Sequence, residues 1–108
     1  MKPWEIWTAD VGHAPHPVVI LSNAGRCASA KPELVILSCT SHRAARAAER
    51  HEVIMDEADG LDWPTLCRCD LLYTVRRDQL QRRRGLVTPA RRRELARQIV
   101  QALALAEL

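Results

Sequence analysis

Phenylalanine is absent from this 108-residue sequence, and aromatic residues make up only 4% of it. The hydrophobic fraction is nevertheless 47%, so Val, Ile, Leu and Ala have to build the core, with three Trp as its large pieces. No apolar run approaches the roughly 20 residues that a membrane helix needs, and no apolar segment typical of a signal peptide follows the N-terminus. We therefore expect a single domain over residues 1–108, located in the cytoplasm.

The sequence contains four cysteines, Cys27, Cys39, Cys67 and Cys69. In a reducing cytosol, cysteines are normally free and mostly buried. A zinc site made from all four is the alternative. However, only one residue separates Cys67 from Cys69, whereas paired zinc ligands usually have two to four residues between them. We therefore expect free thiols, no metal and no other cofactor.

Positive charge is concentrated near the C-terminus. Residues 1–75 carry 7 basic and 10 acidic side chains, a balance of −3, whereas residues 76–108 carry 9 Arg and 3 acidic side chains, a balance of +6. Two interpretations are open: a basic surface that meets a polyanion or an acidic partner, or a solvated helix face that keeps the protein soluble.

Short apolar runs, several of them rich in β-branched residues, recur along the first three quarters of the chain and predict strands. The predicted strands are residues 4–11, 18–21, 34–39, 51–55 and 66–75. Turn residues separate most of these runs, with a connector at residues 23–32. Residues 43–50 suit either a short helix or a loop, and residues 76–85 read as a basic helical turn or link.

The C-terminal segment has clear helix signals. Thr88 is a suitable N-cap and Pro89 occupies the first helical position, where its missing N–H costs nothing. Leu95, Ile99 and Leu103 follow at four-residue steps, which is typical of an amphipathic helix. The fold class is therefore mainly β with a C-terminal α-helix, and closure of the strands into a small barrel would remove exposed edges.

Five segments, in order, resemble the MazF/PemK family of toxin–antitoxin systems. They are Glu5-Ile6-Trp7, His16-Pro17-Val18-Val19-Ile20-Leu21-Ser22-Asn23, Cys39-Thr40-Ser41, Arg68-Cys69-Asp70 and Thr88-Pro89. The resemblance implies an SH3-like β-barrel with a C-terminal helix, usually as a homodimer. It also implies an endoribonuclease that cuts mRNA at short single-stranded sequences without a metal and is inhibited by a cognate antitoxin.

The sequence departs from the family pattern at the expected active site. His16 replaces the arginine before proline, and the loop between the first two strands is shortened to residues 12–15. Trp4 stands where the family has a glycine before its first strand. A second hypothesis is therefore a barrel that binds nucleic acid or a partner without cutting. A third is a gyrase-binding toxin of related fold, which no residue specifically supports.

RNA can be cut without a metal when its own 2′-OH attacks the adjacent phosphate, which requires a base, an acid and positive donors on the phosphate. Residues two apart in a strand share a face, so Arg68 and Asp70 lie side by side. The resemblance assigns Asp70 as the base and Arg68 as the acid or phosphate clamp. The alternative is a structural ion pair on the barrel surface.

Loop histidines and strand-end hydroxyls complete the predicted site. The resemblance places His13 in catalysis, and histidine suits proton transfer near neutral pH. His16, which stands in place of the family arginine, is expected either to contact phosphate or to leave the site impaired. The alternative for both is an ordinary loop histidine. Thr40 and Ser41 are expected to hydrogen-bond phosphate or bases, or else to cap the backbone at a strand end.

Basic and aromatic residues extend the predicted site. Arg76 and Arg77 are expected to track the RNA backbone. The runs at residues 82–84 and 91–93 are attributed to a general electrostatic field or to antitoxin contacts. The three Trp are either core pieces or stacking platforms for bases.

Overall fold

The computed structural model describes residues 1–12, 14–41 and 47–107. Within these ranges the chain forms six strands, two α-helices and two short 3-10 turns. The strands are β1 Glu5–Asp10, β2 Pro15–Ile20, β3 Glu33–Ser41, β4 Glu52–Met55, β5 Thr65–Arg76 and β6 Leu80–Leu86. The helices are α1 Ala24–Ala28 and α2 Pro89–Ala102, and the 3-10 turns are Glu57–Asp59 and Arg77–Gln79. The predicted fold class, mainly β with a C-terminal helix, is confirmed.

The six strands form one antiparallel sheet in the order β4-β5-β3-β2-β1-β6. Strand β5 contains a large bulge, because its pairing with β3 passes from Leu37↔Leu72 directly to Cys39↔Cys67. Five steps along β5 thus oppose two along β3. On its other edge, β5 pairs with β4 from Glu52↔Arg68 to Met55↔Thr65. The Arg68–Asp70 segment therefore lies in the bulge, between the two stretches of β5 that pair with β3.

Apolar side chains cover both faces of the sheet. One core contains Leu37, Cys39 and Cys67 and is covered by Leu95 of α2. The other contains Ala9, Val18, Ile20, Cys27, Leu34, Ile36 and Val75. This double-sided burial explains why the strands read as continuous apolar runs rather than as clean alternations.

The turn after β4 brings the two edges of the sheet together. A Cβ at Gly85 of β6 would overlap the carbonyl oxygen of Asp59 and lie 2.9 Å from the Cα of Gly60. Gly60 itself has φ +89°, a conformation that favours glycine. This close approach of the β4 side to β6 is what a small barrel requires.

Several local predictions are corrected. Residues 76–85 are not only a helical turn, because β6 (Leu80–Leu86) follows the turn at Arg77–Gln79. The connector at residues 23–32 contains α1 (Ala24–Ala28). The strand predicted over residues 66–75 and the predicted C-terminal helix are confirmed as β5 and α2. Thr88 caps α2, because its side chain accepts the Arg91 N–H at 3.3 Å. Of the segment 43–50, residues 43–46 lie outside the described residues.

Two predictions about exposure can be compared directly with the structure. All four cysteines are free and buried, as predicted. Helix α2 ends at Ala102, so Leu103, predicted to extend the apolar stripe, is 38% exposed. In the part of the chain that the structure describes, no helix is long and apolar enough to cross a membrane.

Candidate active site

Arg68 and Asp70 form a two-point ion pair on β5. The Arg68 Nε and Nη2 atoms donate to the two Asp70 carboxylate oxygens at 3.1 and 2.7 Å. The arginine side chain is 53% exposed and the aspartate 31%. The hydrogen bonds from Arg68 hold the pKa of Asp70 below its usual range, and the same bonds raise the pKa of Arg68. Both groups are therefore charged near neutral pH and open to a ligand.

The sheet register places four of the predicted site residues on one face. Thr40 pairs directly with Leu66, so their side chains project to the same side, and Arg68 and Asp70 follow at alternate positions. His16 lies on this side as well, because Val18, two residues on in β2, pairs with Ser38, two residues before Thr40 in β3.

A groove of about 410 Å³ opens on this same face. Its lining residues are Val11, His16, Ile36, Ser38, Thr40, Tyr73, Thr74, Val75 and Gln79. Ile36 and Val75 are buried and form an apolar floor, whereas Tyr73 is 47% exposed. The groove therefore combines an apolar floor with hydroxyl groups and an accessible aromatic ring.

Two of the predicted substrate contacts are engaged elsewhere in the fold. Ser41 lies on the opposite face of the sheet from Thr40, and its Oγ accepts the Trp63 Nε1–H at 2.9 Å. Arg77 donates to the carbonyl oxygens of residues 26, 27 and 31 at 2.6, 3.0 and 2.6 Å. These bonds satisfy carbonyls at the end of α1, so the Arg77 guanidinium anchors the connector.

The other predicted residues are Arg76, His13 and the tryptophans. Arg76 is exposed and pairs with Asp78 at 2.9 Å. His13 lies outside the described residues. Trp4 and Trp7 pack against the two cores, in agreement with their interpretation as core pieces.

Three of the C-terminal arginines are paired within the fold. Arg83 binds Glu5 at 2.8 Å, and Arg84 binds Asp62 at 3.2 Å. Arg91 bridges Asp56, Asp59 and Glu94. These pairs neutralise part of the +6 charge balance of residues 76–108, so the positive potential is weaker on the surfaces around them.

Sequence reasoning missed two residues beside the ion pair, Tyr73 and His51. The Tyr73 phenol lies close enough to Arg68 to influence its pKa, and the His51 imidazole does the same for Asp70. The His51 carbonyl accepts the Cys69 N–H at 2.8 Å. Its Nδ1 is buried without a hydrogen-bond partner among the described residues, and its φ is +69°. Only the β5 bulge and the β4 pairing reveal these positions.

Three buried thiols, Cys39, Cys67 and Cys69, lie behind the ion pair on the other face of the sheet. The hydrogen bond to Cys39 raises the pKa of Cys67, and the bond to Cys67 raises the pKa of Cys69, so these thiols stay protonated. Across the described ranges, no group of three or more His, Cys, Asp or Glu side chains is arranged to hold a metal ion.

Comparison with known proteins gives a consistent pattern. The family described as PemK-like, MazF-like toxin of type II toxin-antitoxin system matches residues 2–103. No curated protein sequence matches the chain closely. Among solved structures, an endoribonuclease in complex with its cognate antitoxin from a mycobacterial species has a TM-score of 0.82 at 25% identity, over 97% of this chain and 96% of that one.

Two further solved structures share the fold. The Mycobacterium tuberculosis toxin MazF-mt6 superimposes with a TM-score of 0.77 at 24% identity, over 93% of this chain and 96% of its own. An endoribonuclease from a mycobacterial species gives 0.78 at 23% identity, over 96% and 91%.

Proposed function

Because the chain belongs to the PemK-like, MazF-like family of type II toxins, it is a toxin endoribonuclease, and we propose that Arg68 and Asp70 carry its chemistry. The substrate in this proposal is single-stranded RNA, cut without a metal by attack of a 2′-OH on the adjacent phosphate. Residues 1–108 act as one toxin domain in the cytoplasm, held in check by a cognate antitoxin.

The observation that carries the proposal is the exposed two-point pair between Arg68 and Asp70, on the same face as His16 and Thr40. Asp70 is ionised near neutral pH, so it accepts the 2′-hydroxyl proton. The Arg68 guanidinium stabilises the negative charge that develops on the phosphate. The bond from phosphorus to the 5′-oxygen breaks and leaves a 2′,3′-cyclic phosphate, and the leaving oxygen takes a proton from Arg68, which solvent water restores. His16 supplies a further donor to the phosphate, and the Thr40 hydroxyl is available to a base.

The ion pair has to rearrange when RNA binds. In the free protein, Asp70 uses both oxygens to accept from Arg68. A phosphate competes with the carboxylate for the two guanidinium donors. Transfer of Arg68 to the phosphate removes the hydrogen bonds that lower the pKa of Asp70, and the carboxylate becomes a stronger base as the substrate arrives.

The proposal includes a homodimer. Val35 and Leu72 lie on one face of adjacent strands and are 37% and 42% exposed. An apolar surface of this kind is suited to pairing with a second copy of the chain.

A second candidate is a barrel that binds RNA without cutting it, favoured by His16 in place of the family arginine. Cleavage of a long single-stranded RNA in EDTA separates the two. Removal of a general base typically costs 10²- to 10⁴-fold in rate, so we expect Asp70→Asn and Arg68→Gln to lose cleavage by about that factor.

The matched control is Asp78→Asn. Asp78 is exposed and pairs with the arginine two residues before it, as Asp70 does. The Asp78→Asn variant should therefore cut RNA like the wild type. Binding of RNA by the wild type without any cleavage would favour the second candidate. Equal activity of Asp70→Asn and Asp78→Asn would refute the assignment of Asp70.

A further inference from the structure

The groove beside the ion pair has the chemistry of a nucleobase site. A base has flat apolar faces and polar edges, and proteins hold unpaired bases by stacking and by hydrogen bonds to those edges. Ile36 and Val75 provide a buried apolar floor. Ser38 and Thr40 line the groove from the same strand, two residues apart and therefore on one side.

Tyr73 is placed to stack on such a base. It pairs directly with Ile36, so its ring projects on the side of the groove floor. It is 47% exposed, and it is the only tyrosine in a sequence without phenylalanine. An exposed ring beside an apolar floor presents a stacking surface that carries little preference for base identity.

The far wall of the groove is fixed by the protein itself. The Gln79 Nε2 donates to the Asp10 carbonyl at 3.0 Å, and its Oε1 accepts the Arg76 N–H at 2.7 Å. Each end of the amide already makes one hydrogen bond within the protein, so the Gln79 side chain is held in place as a wall of the groove. Recognition of base edges falls to the hydroxyls of Ser38 and Thr40.

The groove also lies at the right place along the strand. Thr40 lines the groove and pairs with Leu66, two residues before Arg68 on the same face. The Tyr73 phenol lies within electrostatic range of Arg68 and contributes to raising its pKa. A nucleotide whose base occupies the groove therefore has its phosphate directed towards Arg68 and Asp70.

We propose that this groove seats one unpaired base of the RNA next to the cut, with Tyr73 stacking on the base and Ser38 and Thr40 reading its edge. The inference rests on the proposed ribonuclease function, because it assigns the substrate contacts of the same site. It makes Tyr73 an affinity determinant and the two hydroxyls specificity determinants.

The test measures binding of a short single-stranded 2′-O-methyl RNA, which has no free 2′-OH, by fluorescence anisotropy. In a series of these probes each base in turn is replaced by an abasic site. Wild type is compared with Tyr73→Ala, Tyr73→Phe and the control Leu86→Ala, which removes an apolar side chain of similar exposure on β6.

We expect Tyr73→Ala to weaken binding about 5- to 150-fold, the range for losing one stacked base, and Tyr73→Phe and Leu86→Ala to bind like the wild type. At one position, replacing the base by an abasic site should weaken binding to wild type by a similar factor. The same replacement should not change binding to Tyr73→Ala, which has already lost the stacking contact. Equal abasic effects in both proteins at every position, or no binding of any probe by wild type, would overturn the proposal.

Two further readouts keep the interpretations apart. Light scattering should give the same mass for wild type and Tyr73→Ala, and a lower mass for the variant would identify Tyr73 as a contact between subunits and overturn the inference. The variant Ser38→Ala/Thr40→Val should relax base preference at a single position in a cleavage map. Wild type that binds these probes but cuts no natural RNA would refute the catalytic assignment, while the abasic comparison still decides the groove.

Discussion

Asp59 connects the turn after β4 to the start of α2, and its removal should be among the most destabilising single changes in the domain. Its side chain is fully buried. The carboxylate oxygens accept from the Thr88 N–H at 3.1 Å, the Asp56 N–H at 3.2 Å and the Arg91 Nε–H at 3.3 Å. Helix α2 in turn packs against β5, which carries Arg68 and Asp70.

The magnitude follows from these contacts. A hydrogen bond to a charged group contributes about 1.5–3 kcal/mol, and breaking a buried pair costs about 3–5 kcal/mol when its partner is left uncompensated. Arg91 is not left unpaired in Asp59→Ala, because Glu94 lies 3.2 Å away. We therefore expect a loss of about 3 kcal/mol from the free energy of unfolding, and about 2 kcal/mol for Asp59→Asn, which keeps one acceptor oxygen.

Urea unfolding followed by circular dichroism measures this loss as a lower midpoint at an unchanged slope. In a domain of this size, about 3 kcal/mol corresponds to a melting temperature lower by roughly 10–20 °C. The control is Asp62→Ala, because Asp62 is 68% exposed and its pair with Arg84 should contribute less than about 1 kcal/mol. Equal losses in Asp59→Ala and Asp62→Ala would refute the reasoning.

Two further predictions concern groups that stabilise the frame of the site. Arg77→Ala should lower the free energy of unfolding by about 2–3 kcal/mol because it removes three hydrogen bonds from a charged group to carbonyls that are exposed or partly buried. Arg76→Ala should cost less than about 1 kcal/mol, and urea midpoints that fall equally would contradict the anchoring role of Arg77. Burial raises the pKa of Glu5, but hydrogen bonds from the Lys2 amide and Arg83 outweigh it and lower the pKa below its ordinary value of 4.5. Because the folded-state pKa is lowered, this stabilisation is present above about pH 4.5 and is lost as the pH falls through the folded value. Glu5→Gln should therefore unfold with less pH dependence in that acid range, and identical acid limbs for the two proteins would show the prediction to be wrong.

The central strands were predictable because their apolar and β-branched runs encode burial on both faces. Strand β6 was not, since five of its seven residues are polar or glycine and Arg82, Arg83 and Arg84 sit at its centre. Charged residues are common on an edge strand, where they discourage pairing with other chains. The strand forms here because β1 pairs with it from Glu5↔Leu86 to Ala9↔Leu80, a long-range interaction that no local pattern specifies.

The candidate site was partly predictable for the same reason. Arg68 and Asp70 are two residues apart in one strand, and alternation alone places them together. The environments of Ser41 and Arg77 depend on distant partners, Trp63 in one case and the end of α1 in the other. Residue type suggested substrate contacts at both positions, but hydrogen-bond donors and acceptors are assigned by the tertiary structure.

The position of Tyr73 illustrates the limit of alternation most directly. In a regular strand, Tyr73 lies three residues after Asp70 and would face the opposite side of the sheet. The bulge in β5 places five steps against two on β3, an odd excess of three residues, so the side-chain order is reversed beyond it. Leu66 therefore faces the side of Thr40 while Tyr73, seven residues later, faces the side of Ile36, which is the same side of β3. The bulge thus brings the tyrosine and the Arg68–Asp70 pair onto one surface, and a change that regularised β5 would separate them without altering any of these side chains.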